Sequence, residues 1–180
     1  MSIELEKPDA ESEVFSLTRR FKAPLSLMWQ VWTERRHLEQ WWGPAGMKLV
    51  IKSIDLRAGG SMLYGMQSPF GHVHWGKFIY RLVEPPHRLV YAVSFTDENG
   101  TPARNPMNPL WPLEMLTDQR FVEVDGGTEV QSRSYPIHAT LEERHVFYLG
   151  HAGLQMAFAG TFSELEAYLG RITPDAAPHK

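Results

Sequence analysis

The chain has 180 residues, 43% of them hydrophobic and 22% charged, with a formal net charge of -3. That length suits one domain with a sizeable core. The mild acidity is unlike the basic footprint of a nucleic-acid binder, and the absence of cysteine excludes disulfides, thiolate catalysis and cysteine-ligated zinc and suits the cytosol.

No run approaches the ~18 apolar residues of a membrane span, and the acidic opening "MSIELEKPDAESE" is unlike a signal peptide. The expectation is a soluble cytoplasmic protein. Residues 1–12 read as a flexible arm, 13–170 as one domain and 171–180 as a disordered tail. In "EVFSLTRRFKAP" Phe15, Leu17 and Phe21 share one side of a period of two, which predicts a strand. Pro24 ends it and is suited to open a helix. "LSLMWQVWTERRHLEQWW" then has helical spacing, broken near Thr33-Glu34 into two short helices, and Gly43-Pro44 terminates the second. Trp41 and Trp42 are adjacent, so one helix face cannot take both rings. One is expected to pack at the junction of helix and sheet, the other to face a hollow or its mouth.

From Met47 the period changes to two. "MKLVIKSIDL", "SMLYGMQ", "HVHWGKFIYRLVE" and "RLVYAVSFTD" are strands separated by Gly/Pro turns, the pattern of an antiparallel meander. "ENGTPARNPMNPLWP" is a proline-rich loop of a length that is usually functional or mobile. "LEMLTDQRFVEVDGGTEVQSRSYPI" is two more strands joined at Asp125-Gly126-Gly127, a hairpin signal. From Thr140 the spacing is helical again: Phe147, His151, Leu154, Phe158, Phe162, Leu165 and Leu169 form one stripe. A run of ~30 residues would make a helix of ~45 Å. Gly150, Gly153 and Gly160 inside it suggest close approach to another element, or room left for something else. The fold class expected is α+β: a curved antiparallel sheet of six to seven strands wrapped around a long C-terminal helix, with two short helices after the first strand.

The string "RRFKAPLSLMWQVWTERRHLEQWWGP" resembles the opening of proteins related to the activator of heat-shock-protein-90 ATPase, where a strand and "APxxxVWxxWT" lead into a helix ending in "WWGP". "IDLRAGGSMLYGM" resembles the family's "DLRxGGxxxYxM", and "GKFIYRLVEPPHRLVY" its "GxFxEIxPPERLVY". The likeness runs in order over nearly the whole chain. It implies the helix-grip fold of the START and polyketide-cyclase superfamily. Phe158 stands where the family often has tryptophan, and the loop from Asn99 to Pro112 is long and proline-rich for it.

Candidate ligand-binding residues are Trp41, Trp42, Met62, Tyr64, Met66, Trp75, Tyr91, Phe95, Trp111, Met115, Tyr135, Tyr148 and Met156, with Met107 and Phe121 beside them. Aromatic and methionine side chains suit an irregular apolar guest; the plainer alternative for each is a dry core. Of the eight histidines, His72 and His74 face one way on a strand, and His145 and His151 are six apart on a helix. None has ligand spacing, so no metal and no cofactor is expected. The glycine runs lack the ending of a phosphate loop, and "TRR" and "ERR" read as solvated faces.

Three functions are open. The first is a binding module holding a small apolar or aromatic molecule between sheet and C-terminal helix. The second, implied by the superfamily, is a cyclase- or dehydrase-like enzyme. That would need an inward polar group with a shifted pKa, drawn from Arg120, Glu123, His74, Tyr91 and Tyr135, or His74 or His145 working with Glu142. The third, implied by the family's name, is a stress-related co-chaperone. A homodimer stays open; nucleic acid and membrane are not expected partners.

Overall fold

The computed structural model describes residues 5–173. Seven strands form one antiparallel sheet: β1 (Phe15–Phe21), β2 (Lys48–Ile54), β3 (Ser61–Gln67), β4 (Val73–Glu84), β5 (Arg88–Thr96), β6 (Glu114–Val124) and β7 (Gly127–Ile137). Their order across the sheet is β1-β7-β6-β5-β4-β3-β2. From β2 to β7 each strand pairs with its sequence neighbour, and β1 closes the order beside β7. The helices are α1 (Leu25–Thr33), α2 (Arg35–Trp41), α3 (Leu141–Leu149) and α4 (His151–Ile172). The sheet is curved around the C-terminal helix, the helix-grip arrangement that the strand count and helix order predict. His72 precedes β4, so only His74 of that pair lies on a strand.

The register decides which side chains face the helix. Tyr91 pairs with Tyr80 on one side and Thr117 on the other, Thr117 with Ser134, and Ser134 with Phe15. This row belongs to the concave face, and every second residue along each strand joins it. The concave core contains Phe21, Met28, Trp32, Trp41, Leu49, Ile51, Met62, Phe78, Leu89, Tyr91, Phe121, Val130, Phe162 and Leu165. A smaller cluster of Val90, Ala92, Leu116, Tyr135 and Ile137 lies on the convex face, with Leu5, Val14 and Leu82 against it.

The expected C-terminal helix is two helices. They break at Gly150, where a Cβ would come within 2.7 Å of Cζ3 of Trp111. The glycine removes the side chain that would keep this indole out, and Trp111 also packs on Phe147, 5.3 Å between ring centroids. α3 has its own start: the Thr140 side chain accepts from Glu143 N–H, and the Glu143 carboxylate accepts from Thr140 N–H, two donors satisfied reciprocally. α4 alone, at ~1.5 Å per residue, is about 33 Å long. No Cβ clash explains Gly153 or Gly160. Residues 5–12 of the expected flexible arm, together with Glu13, lie along the convex face with a turn of 3-10 helix at Glu11–Glu13; residues 1–4 fall outside the described residues. At the other end α4 continues through Arg171 and Ile172; residues 174–180 of the expected tail fall outside the described residues.

α1 is the element the packing turns on. Trp32 is 5% exposed, and its ring meets Trp41 at 4.9 Å, Trp42 at 5.4 Å, Phe121 at 5.6 Å and Phe162 at 6.1 Å. Trp32→Ala is expected to cost ~3–5 kcal/mol of stability, as a large aromatic deletion in a close-packed core. Urea denaturation measures it, and a loss under ~1 kcal/mol would show that the neighbouring rings collapse into the space.

Candidate functional site

Trp41 and Trp42 go to two places because α2 ends between them. Trp41 is the last helical residue, 3% exposed, and its Nε1–H donates to the carbonyl of Val31 at 2.9 Å. Trp42 has extended backbone (φ -69°, ψ 119°), which turns its half-buried ring toward the sheet, 5.9 Å from Phe78. Gly43 follows at φ 117°, and a Cβ there would meet Sδ of Met66 at 2.7 Å. Positive φ and close approach both call for glycine.

Phe78 joins this tryptophan to the concave wall. It stacks on Tyr91 at 4.2 Å and meets the Tyr64 edge at 5.3 Å. Tyr64 lies across Gly76, where a Cβ would come within 2.6 Å of the phenol. Burial pushes the phenols of Tyr64, Tyr80 and Tyr91 well above their ordinary pKa, so all three stay neutral at physiological pH. Tyr64 nevertheless keeps accessible surface, as do Met66, Val93, Phe95 and Met115, all inward-facing by register. Phe158 of α4 stacks on Phe15 of β1, and Phe162 meets Phe21 edge to face. Most inward side chains of β3–β6 are buried as well; Tyr64, Met66, Val93, Phe95 and Met115, toward the end of the sheet where β3 and β5 finish and β4 and β6 begin, are the ones left partly uncovered.

A polar strip crosses this apolar wall. The Thr117 and Ser134 hydroxyls are 2.9 Å apart, Tyr91 stands opposite Thr117 in the register, and Ser132 Oγ donates to Gln119 Oε1 at 2.5 Å. All five residues are at most 7% exposed, and every group is uncharged. Arg19 also lies on the concave side of β1, but Glu166 of α4 takes it up at 2.5 Å.

The structure thus gathers Trp42, Met62, Tyr64, Met66 and Tyr91 in one cluster that also contains the buried Trp41 and Phe121; Phe95 and Met115 share that face by register, and Trp111 lies at the α3–α4 break. Other candidates lie elsewhere. Trp75 is on the convex face, packed over Gly65 and 5.6 Å beneath the Lys52 ammonium. Tyr135 is also convex, its hydroxyl donating to the Glu6 carbonyl at 2.8 Å. Tyr148 is 51% exposed, Met156 77% and Met107 85%, and Met156 is on the side of α4 away from Phe158. Arg120 is convex and paired with Asp118. Glu123 and His74 sit exposed at strand ends on the concave parity, and Glu142 and His145 are exposed on α3. Among the described residues no group of three or more His, Cys, Asp or Glu could hold a metal.

Phe78 and the polar strip escaped the sequence reading. Phe78 was detectable from the alternation in "GKFIY"; Thr117, Gln119, Ser132 and Ser134 were not, because "TDQR" and "QSRS" are polar on both faces.

Fold and wall together define a helix-grip protein, a single sheet closed on one long helix with an aromatic concave face. Residues 22–170 match the family described as Activator of Hsp90 ATPase homolog 1-like protein, and the chain belongs to that family. Protein Ms6760 from Mycobacterium smegmatis is 24% identical, with a TM-score of 0.74 over 93% of this chain and 97% of that one. A protein from Arthrobacter aurescens is 22% identical, with a TM-score of 0.74 over 99% of each chain. An AHSA1 protein from Silicibacter pomeroyi is 16% identical, with a TM-score of 0.67 over 89% and 99%. At these identities the likeness speaks for the fold. No curated protein matches the chain. Among the described residues no helix is long and apolar enough to cross a membrane.

Two histidines fasten α4. His37 Nδ1 and the Tyr168 hydroxyl are 2.7 Å apart. His151 sits among Phe15, Phe147 and Tyr148 and bonds to the Glu13 backbone. Burial lowers both pKa values; Arg36 adds to the effect at His37 and Glu34 opposes it, while the Glu13 bond opposes it at His151. The unfolded chain then binds more protons, so stability is full above about pH 7 and falls as pH drops through ~6.5 toward the folded pKa. Thermal unfolding at a series of pH values should show this acid-side loss, and His151→Phe should make it shallower. An unchanged slope would mean that His151 does not titrate across the transition.

Proposed function

We propose that the protein binds a small, largely apolar or aromatic molecule carrying one uncharged polar group, held on the concave wall between sheet and α4. The observation that carries this reading is the uncovered strip itself: Tyr64, Met66, Phe95 and Met115 face inward yet keep exposed surface beside Trp42. A folded core normally leaves few such gaps. Apolar walls with a few placed polar groups are the usual make-up of a small-molecule site. The polar strip supports a neutral partner group, a carbonyl or hydroxyl. The buried hydroxyls of Tyr91, Thr117 and Ser134 can share a hydrogen bond, whereas an unpaired carboxylate here would meet no free cation and would be costly to desolvate.

Isothermal calorimetry with 2-naphthol, naphthalene and 2-naphthoate tests this. The naphthol is expected to bind best and the carboxylate worst. Trp42→Ala should weaken the first two about tenfold, ~1.4 kcal/mol, by removing ring contact. Thr117→Val should weaken the naphthol by a factor of about 5–10 and leave the hydrocarbon nearly unchanged, as loss of one hydrogen-bond partner would. Native mass spectrometry of gently purified protein would identify the natural occupant. If none of the three probes binds saturably, the reading fails; tightest binding of the carboxylate would keep the site and reject the neutral group.

A further inference from the structure

The convex side of the sheet carries its own cluster, and it is covered by an acidic segment. Residues 5–13, "LEKPDAESE", bring four carboxylates onto three arginines from three elements. Glu6 pairs with Arg81 of β4 at 3.3 Å. Glu11 takes Arg133 of β7 with both oxygens, at 2.7 and 2.8 Å. Asp9 and Glu13 both meet Arg144 of α3. Leu5 packs against the convex cluster that Val90, Leu116 and Tyr135 belong to, and the Tyr135 hydroxyl donates to the Glu6 carbonyl.

This cover fits loosely. A hollow of about 590 Å³ remains between segment and sheet, lined by Leu5, Pro8, Val90, Leu116 and Tyr135 and by Arg88, Asp118 and Arg133. Space on that scale leaves contacts unmade on both sides. The Glu11–Arg133 pair is also near water, Glu11 77% exposed and Arg133 47%, and an exposed pair holds weakly; the Arg81 and Arg144 guanidiniums are more enclosed. With the segment lifted, the face would present a tyrosine and aliphatic floor rimmed by arginines, the composition enriched at protein interfaces.

We propose that this convex face is a docking site for an extended acidic segment of a partner protein, one with an apolar residue just ahead of its carboxylates, and that residues 5–13 occupy it in cis until such a segment displaces them. The charge match between segment and face identifies the occupant's chemistry, and the hollow explains why the resident segment can yield. The site is separate from the concave wall, so it stands or falls apart from the ligand reading. A tethered segment competes at an effective concentration near millimolar, so the intact chain should bind a free copy of it poorly.

The test is fluorescence polarisation of a labelled peptide with the sequence of residues 5–14. The full chain carrying Glu6→Gln and Glu11→Gln is expected to bind it saturably, about tenfold more tightly than the unmodified chain. Adding Arg133→Gln to that background should cost about fivefold or more, and raising the salt from about 50 to about 300 mM should weaken binding further. Light scattering on the same samples reads oligomeric state. No saturable binding to the double variant would overturn the proposal. So would equal binding by variant and unmodified chain, which would mean that the segment is not the competitor. Dimers that form with exchanged segments would make the occupant a second copy of this chain and overturn the choice of partner.

Discussion

The structure depends on one indole. Trp32 stands where three layers meet: Trp41 and Trp42 from α2, Phe121 from the sheet and Phe162 from α4 all pack against its ring. Edge-to-face aromatic pairs each add ~0.5–1.5 kcal/mol beyond the area they bury. More important here is that the contacts are mutually exclusive with other placements of the helices. Once Trp32 sits against Phe121, α1 and α2 must lie across one end of the concave face. Trp41 is then enclosed, and Trp42 is carried to the edge of the uncovered strip. The position of the candidate site follows from that packing rather than from any residue within it.

The chemistry of the wall is set by what it lacks as much as by what it holds. Its tyrosines are neutral because burial disfavours the phenolate. Its one inward arginine on β1 is taken by Glu166. The Thr117 and Ser134 hydroxyls pair with each other, the Gln119 amide oxygen accepts from Ser132, and the Gln119 amide nitrogen donates to the Gln131 carbonyl. The convex face is the electrostatic opposite, with arginines and carboxylates from several elements pairing across it. One sheet therefore presents an uncharged aromatic side and a charged side.

Much of the fold was legible in the residues. The period-two placement of Met62, Tyr64 and Met66 and of Phe78 and Tyr80, the Asp125-Gly126-Gly127 turn and the proline at the head of α1 each specify local structure by local sterics. The inward stripe from Phe147 to Leu169 was readable from its spacing alone. The site was less so. Trp75 has the same composition and the same strand setting as Phe78, and only register separates them: Trp75 pairs with Gly65 and Thr96 on the convex side, Phe78 with Met62 and Val93 on the concave. A shift of one residue exchanges the two.

By itself the sequence determined the element order, the helix-grip class and the family, because periodicity, breakers and the "WWGP" motif are local signals that survive without knowledge of partners. Only the tertiary structure decided which aromatics face the groove, that the C-terminal helix breaks at Gly150 to admit Trp111, and that residues 5–13 lie against the sheet. Each of these is a contact between segments far apart in the chain. Its energy depends on register and approach distance, and neither is written in the spacing of residues along one strand or helix.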